Sequence, residues 1–220
     1  MTADNSLSYA SASKLLTEPR ILLADDHSMI RKGLKLYLQS NLECKSIGEV
    51  SSCTELMKEL IREKYTHLIL DIILNDGSTL EVIPNITKVY PKLKILVFSM
   101  QPAEVYGEAI KQYGLKQYLS KSLGEEEIYE RLKQFILGEQ IPDMEFKSRN
   151  SPENPFASLA PRELEILHYL LRGMRTKEIA ETINLKMNTI STIKTRIYFK
   201  TNAENLKQLL ELASLYNLNY

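Results

Sequence analysis

A chain of 220 residues that is 44% hydrophobic and 25% charged has the make-up of a folded globular protein, which excludes disordered and fibrous classes. Lys+Arg and Asp+Glu both total 28, so bulk charge points to neither nucleic acid nor membrane as a partner, although nine basic against seven acidic residues from Ser151 onward leave a mild excess there. Cys44 and Cys53 lack metal-ligand spacing and no apolar run approaches the roughly 20 residues of a spanning helix, so a reducing cytoplasm is the expected compartment.

Residues 1–19 are rich in Ser and Ala without the basic start and apolar core of a signal peptide, and a flexible lead-in is expected there. From Arg20, short apolar runs alternate with helical periods. Strands are expected at 21–24, 46–50, 67–70, 94–98 and 117–119, three of them aliphatic in the manner of strands buried on both faces. Helices are expected at 29–39, 54–63, 80–89, 104–113 and 125–137, the last behind Gly124 with an acidic first turn. Five strands alternating with five helices predict a doubly wound α/β domain over 20–137.

Residues 138–157 hold Pro142, Pro152 and Pro155 among polar residues and read as a linker. The pattern then turns wholly helical, at 161–171, 176–182, 188–199 and 205–216. Pro161 suits a first helical turn and Gly173 a C-terminal stop. An all-α four-helix domain over 158–220 is expected.

Open parallel sheets gather binding groups just beyond the carboxyl ends of their strands. Those ends carry Asp25 and Asp26, then Asp71, Ser99 and Lys121. Clustered carboxylates repel unless a hard divalent cation such as Mg²⁺ sits among them. With that cation, one carboxylate can attack phosphorus while a lysine and a hydroxyl hold phosphoryl oxygens. Each residue alone has a plainer reading: a helix cap for the Asp pair, a turn for Asp71, a wet surface charge for Lys121. Only the set in register outweighs those readings. His27 reads as a helix-start residue rather than a ligand.

The segments ILLADDH, HLILDIIL, ILVFSM and YLSKS make residues 20–137 resemble a response-regulator receiver domain. The resemblance implies a flavodoxin-like fold with Asp71 as the phosphoacceptor. It further implies Mg²⁺ held by Asp25, Asp26, Asp71 and the backbone carbonyl of Ile73. Ser99 would be the switch hydroxyl, Lys121 the phosphate-pairing cation and Tyr118 the switch aromatic. Asn75 and Thr79 stand where the family usually has proline and glycine, so a differently shaped loop over 72–78 is expected.

In the second unit, Ile190, Ile193 and Ile197 share one face of a helix whose opposite face carries Asn188, Ser191, Thr192 and Thr195, with Thr189 and Arg196 on its flanks. Small hydroxyl and amide side chains of this kind can reach base edges or phosphates. The run LAPRELEILHYLLRGMRTKEIAETINLKMNTISTIKTRI resembles the LuxR-type helix-turn-helix of the NarL/FixJ subfamily over residues 158–216. The resemblance implies that Lys177 contacts phosphate, that 188–200 is the recognition helix and that the last helix pairs subunits. Ser191 and Ile193 replace a Lys and a His carried by many relatives, so operator preference does not carry over.

Together these features predict a two-component transcriptional regulator, phosphorylated by a histidine kinase on Asp71 and binding duplex DNA as a homodimer. No membrane partner and no separate enzymatic substrate are expected. A helical module that docks proteins rather than DNA stays open as the alternative. So does a regulator that works without phosphorylation.

Overall fold

The structure is a computed structural model that describes residues 18–139 and 154–218. Most of the expected lead-in and linker therefore lie outside the described residues. The strands in chain order are β1 (Arg20–Ala24), β2 (Ser46–Val50), β3 (His67–Leu70), the two-residue β4 (Ile73–Leu74) and β5 (Gly77–Ser78), β6 (Lys94–Ser99) and β7 (Tyr118–Ser120). All but β4 and β5 form one parallel sheet in the order β2-β1-β3-β6-β7. The helices α1 (Ser28–Leu42), α2 (Cys53–Arg62), α3 (Ile83–Val89), α4 (Ala103–Gln112) and α5 (Glu125–Leu137) cover its two faces.

The strands are nearly all apolar because both faces are covered, yet alternate residues still sort to opposite sides. Leu22, Ala24, Leu68, Leu70 and Val97 pack with Leu56, Leu60, Ile83, Ile86 and Ile110 from α2, α3 and α4. Ile21, Leu23, Ile69, Leu96 and Phe98 pack with Leu34 and Leu38 of α1 and with Leu132, Phe135 and Ile136 of α5. Burying each such side chain stabilises the fold by about 1.5–3 kcal/mol. Ser52 caps α2 by accepting from the Glu55 N–H, and Gly138 ends α5 in the left-handed conformation.

The helix expected over 80–89 divides. Residues Thr79–Glu81 form a 3-10 turn and α3 starts afresh at Ile83, because Pro84 lacks a donor and constrains the residue before it. The loop after β3 is a small hairpin of β4 and β5, turning through Asn75 and Asp76. The Asp76 carboxylate accepts from the backbone N–H groups of Cys53 and Thr54, tying that turn to the N-terminus of α2.

The second unit comprises α6 (Pro161–Leu171), α7 (Thr176–Thr182), α8 (Met187–Thr201) and α9 (Leu206–Leu215). It begins with a 3-10 turn, Pro155–Ser158, inside the stretch expected as linker; Phe156 there is fully buried, its ring edge-on to Tyr216. This turn packs on α4, and α6 packs on the turn Thr79–Glu81, so one apolar cluster runs from the α2–α4 side of the sheet into the helical unit. Arg162 of α6 pairs with Glu81 across that junction and with the buried Glu165 of its own helix. Gly77 (φ +147°) meets Tyr169 here: a Cβ would lie 2.9 Å from the tyrosine hydroxyl.

Candidate functional site

Parallel register brings the strand ends level. Ala24 lies beside Leu70, Leu70 beside Val97 and Ser99 beside Ser120. Asp25, Asp71 and Lys121, one residue past their strands, therefore converge at one edge. Backbone bonds hold them there: the N–H of Asp71 donates to Ala24, that of Asp25 to Val50 and that of Lys121 to Ser99.

Lys121 Nζ lies 2.6 Å from Asp25 Oδ2 and also contacts Asp71 Oδ2, with its side chain 2% exposed. Ser99 Oγ donates to Asp71 Oδ1 at 2.6 Å. Four of the residues expected at this site thus form one connected, mostly buried group. Asp26 is half-buried beside them, with His27 Nδ1 at 2.8 Å from its Oδ1. His27 is the N-cap of α1, as expected, but makes no side-chain cap bond and instead joins the acidic cluster. The Asp pair does not cap α1; Asp25 accepts from the His27 N–H.

Ligand atoms of Asp25, Asp26, His27 and Asp71 lie within 4.8 Å of one another. Among the described residues Lys121 pairs with Asp25 and Asp71 together, while Asp26 lies beside His27, so the carboxylates outnumber the ammonium that they share. A hard divalent cation bound by oxygen, such as Mg²⁺, fits this donor set. The Ile73 N–H points at Asp71 Oδ1 over 3.5 Å, and Ile73 lines the cavity above the cluster. Tyr118 is turned inward, 5% exposed, with its hydroxyl donating to the Gln101 carbonyl. Burial, and next the neighbouring Asp71 charge, hold that phenol well above its ordinary pKa.

The sequence marks Thr79 only as a departure that reshapes the loop, and it holds no signal for the α6 wall of the cavity above Asp71. Thr79 is fully buried and donates its hydroxyl to the carbonyls of Asp71 (2.8 Å) and Ile72 (3.1 Å). The cavity of about 340 Å³ above Asp71 is lined by Asp26, Asp71 and Ser99 from the sheet unit and by His168 and Arg172 from α6 and its C-terminal cap. His168 is 5% exposed, and its buried Nδ1 has no hydrogen-bond partner among the described residues. Burial and then the Arg172 charge lower its pKa to about 4. Only the packing of two units brings these residues to Asp71, and helical periodicity does not encode it.

On α8, Ile190, Ile193 and Ile197 are buried, while Asn188, Thr189, Ser191, Thr192, Thr195 and Arg196 are all exposed. The hydroxyls of Thr192 and Thr195 donate to the carbonyls of Asn188 and Ser191 one turn back. Those two hydroxyl protons are thereby engaged by the helix itself, which leaves Asn188, Thr189, Ser191 and Arg196 as the exposed donors of this face. Lys177, at the start of α7, is exposed and only 3.9 Å from Glu181, a weak surface pair. Lys200 is held inward by Glu163 and the Ser158 carbonyl.

Residues 21–133 match the family of response regulator receiver domains, and residues 157–213 match the bacterial regulatory proteins of the luxR family. The oxygen regulatory protein NreC of Staphylococcus epidermidis is 28% identical over 209 residues, spanning 88% of this chain and 96% of that protein. NreC of Staphylococcus carnosus is 27% identical over 208 residues, spanning 88% of this chain and 96% of its own length. RcsB of Salmonella enterica serovar Typhimurium, solved bound to promoter P1flhDC in the presence of the phosphomimetic BeF₃⁻, shares the fold. Its TM-score is 0.76 at 24% identity, over 90% of this chain and 100% of that one.

Proposed function

This chain belongs to the response regulators, joining a receiver domain to a luxR-family regulatory domain, and on that premise we propose that it is a transcriptional regulator whose DNA binding is controlled by phosphorylation of Asp71. The receiver spans 20–137 and the DNA-binding domain runs to 220, its expected start at 158 extended back to the turn at Pro155–Ser158, with the rest of the expected 138–157 as linker and 1–19 as lead-in. A histidine kinase is the donor, a homodimer the DNA-binding form and the cytoplasm the compartment; no described helix is long and apolar enough to cross a membrane.

The observation that carries this reading is the pairing of Asp71 with both Ser99 and Lys121 at the sheet edge. An Asp71 carboxylate oxygen attacks phosphorus, the donor's bond to phosphorus breaks, and the donor leaves with the electron pair. Asp25, Asp26, Asp71 and the Ile73 carbonyl would hold Mg²⁺, which supplies positive charge for the phosphoryl oxygens. Lys121, now shared between two carboxylates, can exchange one of them for a phosphoryl oxygen. Ser99 Oγ can turn from Asp71 Oδ1 to another. That loss of the Ser99 bond, next to the inward Tyr118, gives phosphorylation a route to the α4 side of the domain.

The helical domain presents Asn188, Thr189, Ser191, Thr192, Thr195 and Arg196 to the major groove, with Lys177 on the backbone. The direct test is labelling with a small phosphodonor and Mg²⁺. Wild type should form an acid-stable, base-labile acyl phosphate, and Asp71→Ala should not. Equal labelling of the two proteins contradicts the assignment.

A further inference from the structure

The receiver's own cation, Lys121, is spent on two carboxylates at the floor of the cavity above Asp71. The wall facing that floor comes from the other domain. It consists of His168, near the end of α6, and Arg172, which caps the helix. Arg172 is exposed, lines the cavity, and forms no ion pair with a carboxylate among the described residues. The C-terminal end of a helix carries partial negative charge, so the backbone of this wall by itself disfavours an anion. Arg172, which lines the cavity, supplies the positive charge that reverses that preference.

Phosphoryl transfer runs with attacking and leaving groups roughly in line through phosphorus. With Asp71 attacking from the floor, the leaving group faces the α6 wall. The cavity of about 340 Å³ admits a small molecule, whereas a histidine carried on a folded partner requires α6 to move aside. We propose that this closed arrangement is a site for small acyl phosphates, in which Arg172 of the DNA-binding domain binds the carboxylate that departs. The proposal rests on Asp71 being the phosphoacceptor.

In this step an Asp71 oxygen bonds to phosphorus while the bond between phosphorus and the acyl oxygen breaks. The acyl oxygen takes the electron pair and leaves as a carboxylate, and no proton, oxidant or reductant is needed. Its two oxygens match the forked donors of a guanidinium, which a lysine ammonium cannot reproduce. The helical domain would thereby contribute directly to the reaction that regulates it. A protein phosphodonor would instead use an open arrangement that Arg172 does not touch.

The test is the initial rate of Asp71 labelling in the full chain with Mg²⁺, using acetyl phosphate and phosphoramidate as separate donors. Acetyl phosphate releases an anionic carboxylate, and phosphoramidate releases ammonia. For Arg172→Gln we expect a loss of about fivefold to tenfold with acetyl phosphate and none with phosphoramidate. Arg172→Lys should recover part of that loss. Equal slowing with both donors means that Arg172 acts on the phosphoryl group or on folding, and overturns the proposal. An unchanged rate with acetyl phosphate overturns it as well, while leaving Asp71 as the phosphoacceptor intact. No labelling of wild type by either donor overturns the phosphoacceptor reading itself, and this inference with it.

Discussion

Thr79 donates its hydroxyl to the backbone carbonyl of Asp71 at 2.8 Å, so the residue that stands in a customary glycine position fastens the loop to the phosphoacceptor itself. A second bond to the Ile72 carbonyl and full burial make the hydroxyl part of the core. Thr79→Val keeps the volume and removes the donor, leaving the Asp71 carbonyl without it. The expected loss is about 1–3 kcal/mol of stability, read as a lower urea midpoint at unchanged slope. A midpoint equal to wild type contradicts this role.

Lys121 lies between the carboxylates of Asp25 and Asp71 with a side chain 2% exposed. Lys121→Met leaves two buried like charges facing each other. The expected loss is about 3 kcal/mol or more, and millimolar Mg²⁺ should recover more stability in the variant than it adds to wild type. Denaturation with and without Mg²⁺ checks this. Identical Mg²⁺ effects on both proteins contradict a shared cation site.

Burial lowers His67 and His168 each to a pKa of about 4 against 6.5 for the free side chain, helped by Lys94 and Arg172 respectively. Between those values the unfolded chain binds the proton and the folded one does not. Their contribution is therefore complete above pH 6.5 and is lost as pH falls toward 4, at up to about 3 kcal/mol for each. Replacing His168 with Gln should flatten the fall of the melting temperature over that window. A fall as steep as in wild type contradicts a neutral, buried His168.

Arg162 joins the domains through Glu81 and also pairs with Glu165, whose carboxylate is almost fully buried. Burial already raises the Glu165 pKa, with Arg162 opposing the rise. Arg162→Ala removes that opposition, so the folded protein should hold a proton on Glu165 to higher pH. The penalty should be small below the ordinary carboxylate pKa and grow as pH rises above it, toward the few kcal/mol that a broken buried pair costs. Adding Glu165→Gln should remove most of the pH dependence, and a pH-independent penalty contradicts the account.

Strand ends and helix faces were legible in the sequence because they follow local rules. Aliphatic runs such as 67–70 and 94–98 fall where buried parallel strands require them, and the polar residue after each run marks the sheet edge. The apolar stripe Ile190, Ile193, Ile197 likewise fixes which side of α8 faces out. The break at Pro84 was visible as a proline, but the apolar periodicity on either side argued for continuity. The hairpin Ile73–Ser78 is held by Asp76 on the end of α2 and by Thr79 on Asp71, contacts distant in sequence. The α6 wall lay furthest from sight. No local pattern marks His168 or Arg172, and only packing against the receiver places them at the cavity above Asp71.

Coupling between Asp71 and DNA is the core of the account, and one binding titration addresses it. The full chain would be titrated with duplex DNA across a range of salt concentrations, with and without Mg²⁺ and beryllofluoride, beside Asp71→Ala. Log K should fall linearly with log salt, beryllofluoride should strengthen wild-type binding, and the variant should not respond. Arg196→Ala should lower the magnitude of the salt slope by about 0.9 if it touches a phosphate. No binding at low salt in either state, or equal responses from wild type and Asp71→Ala, would contradict it.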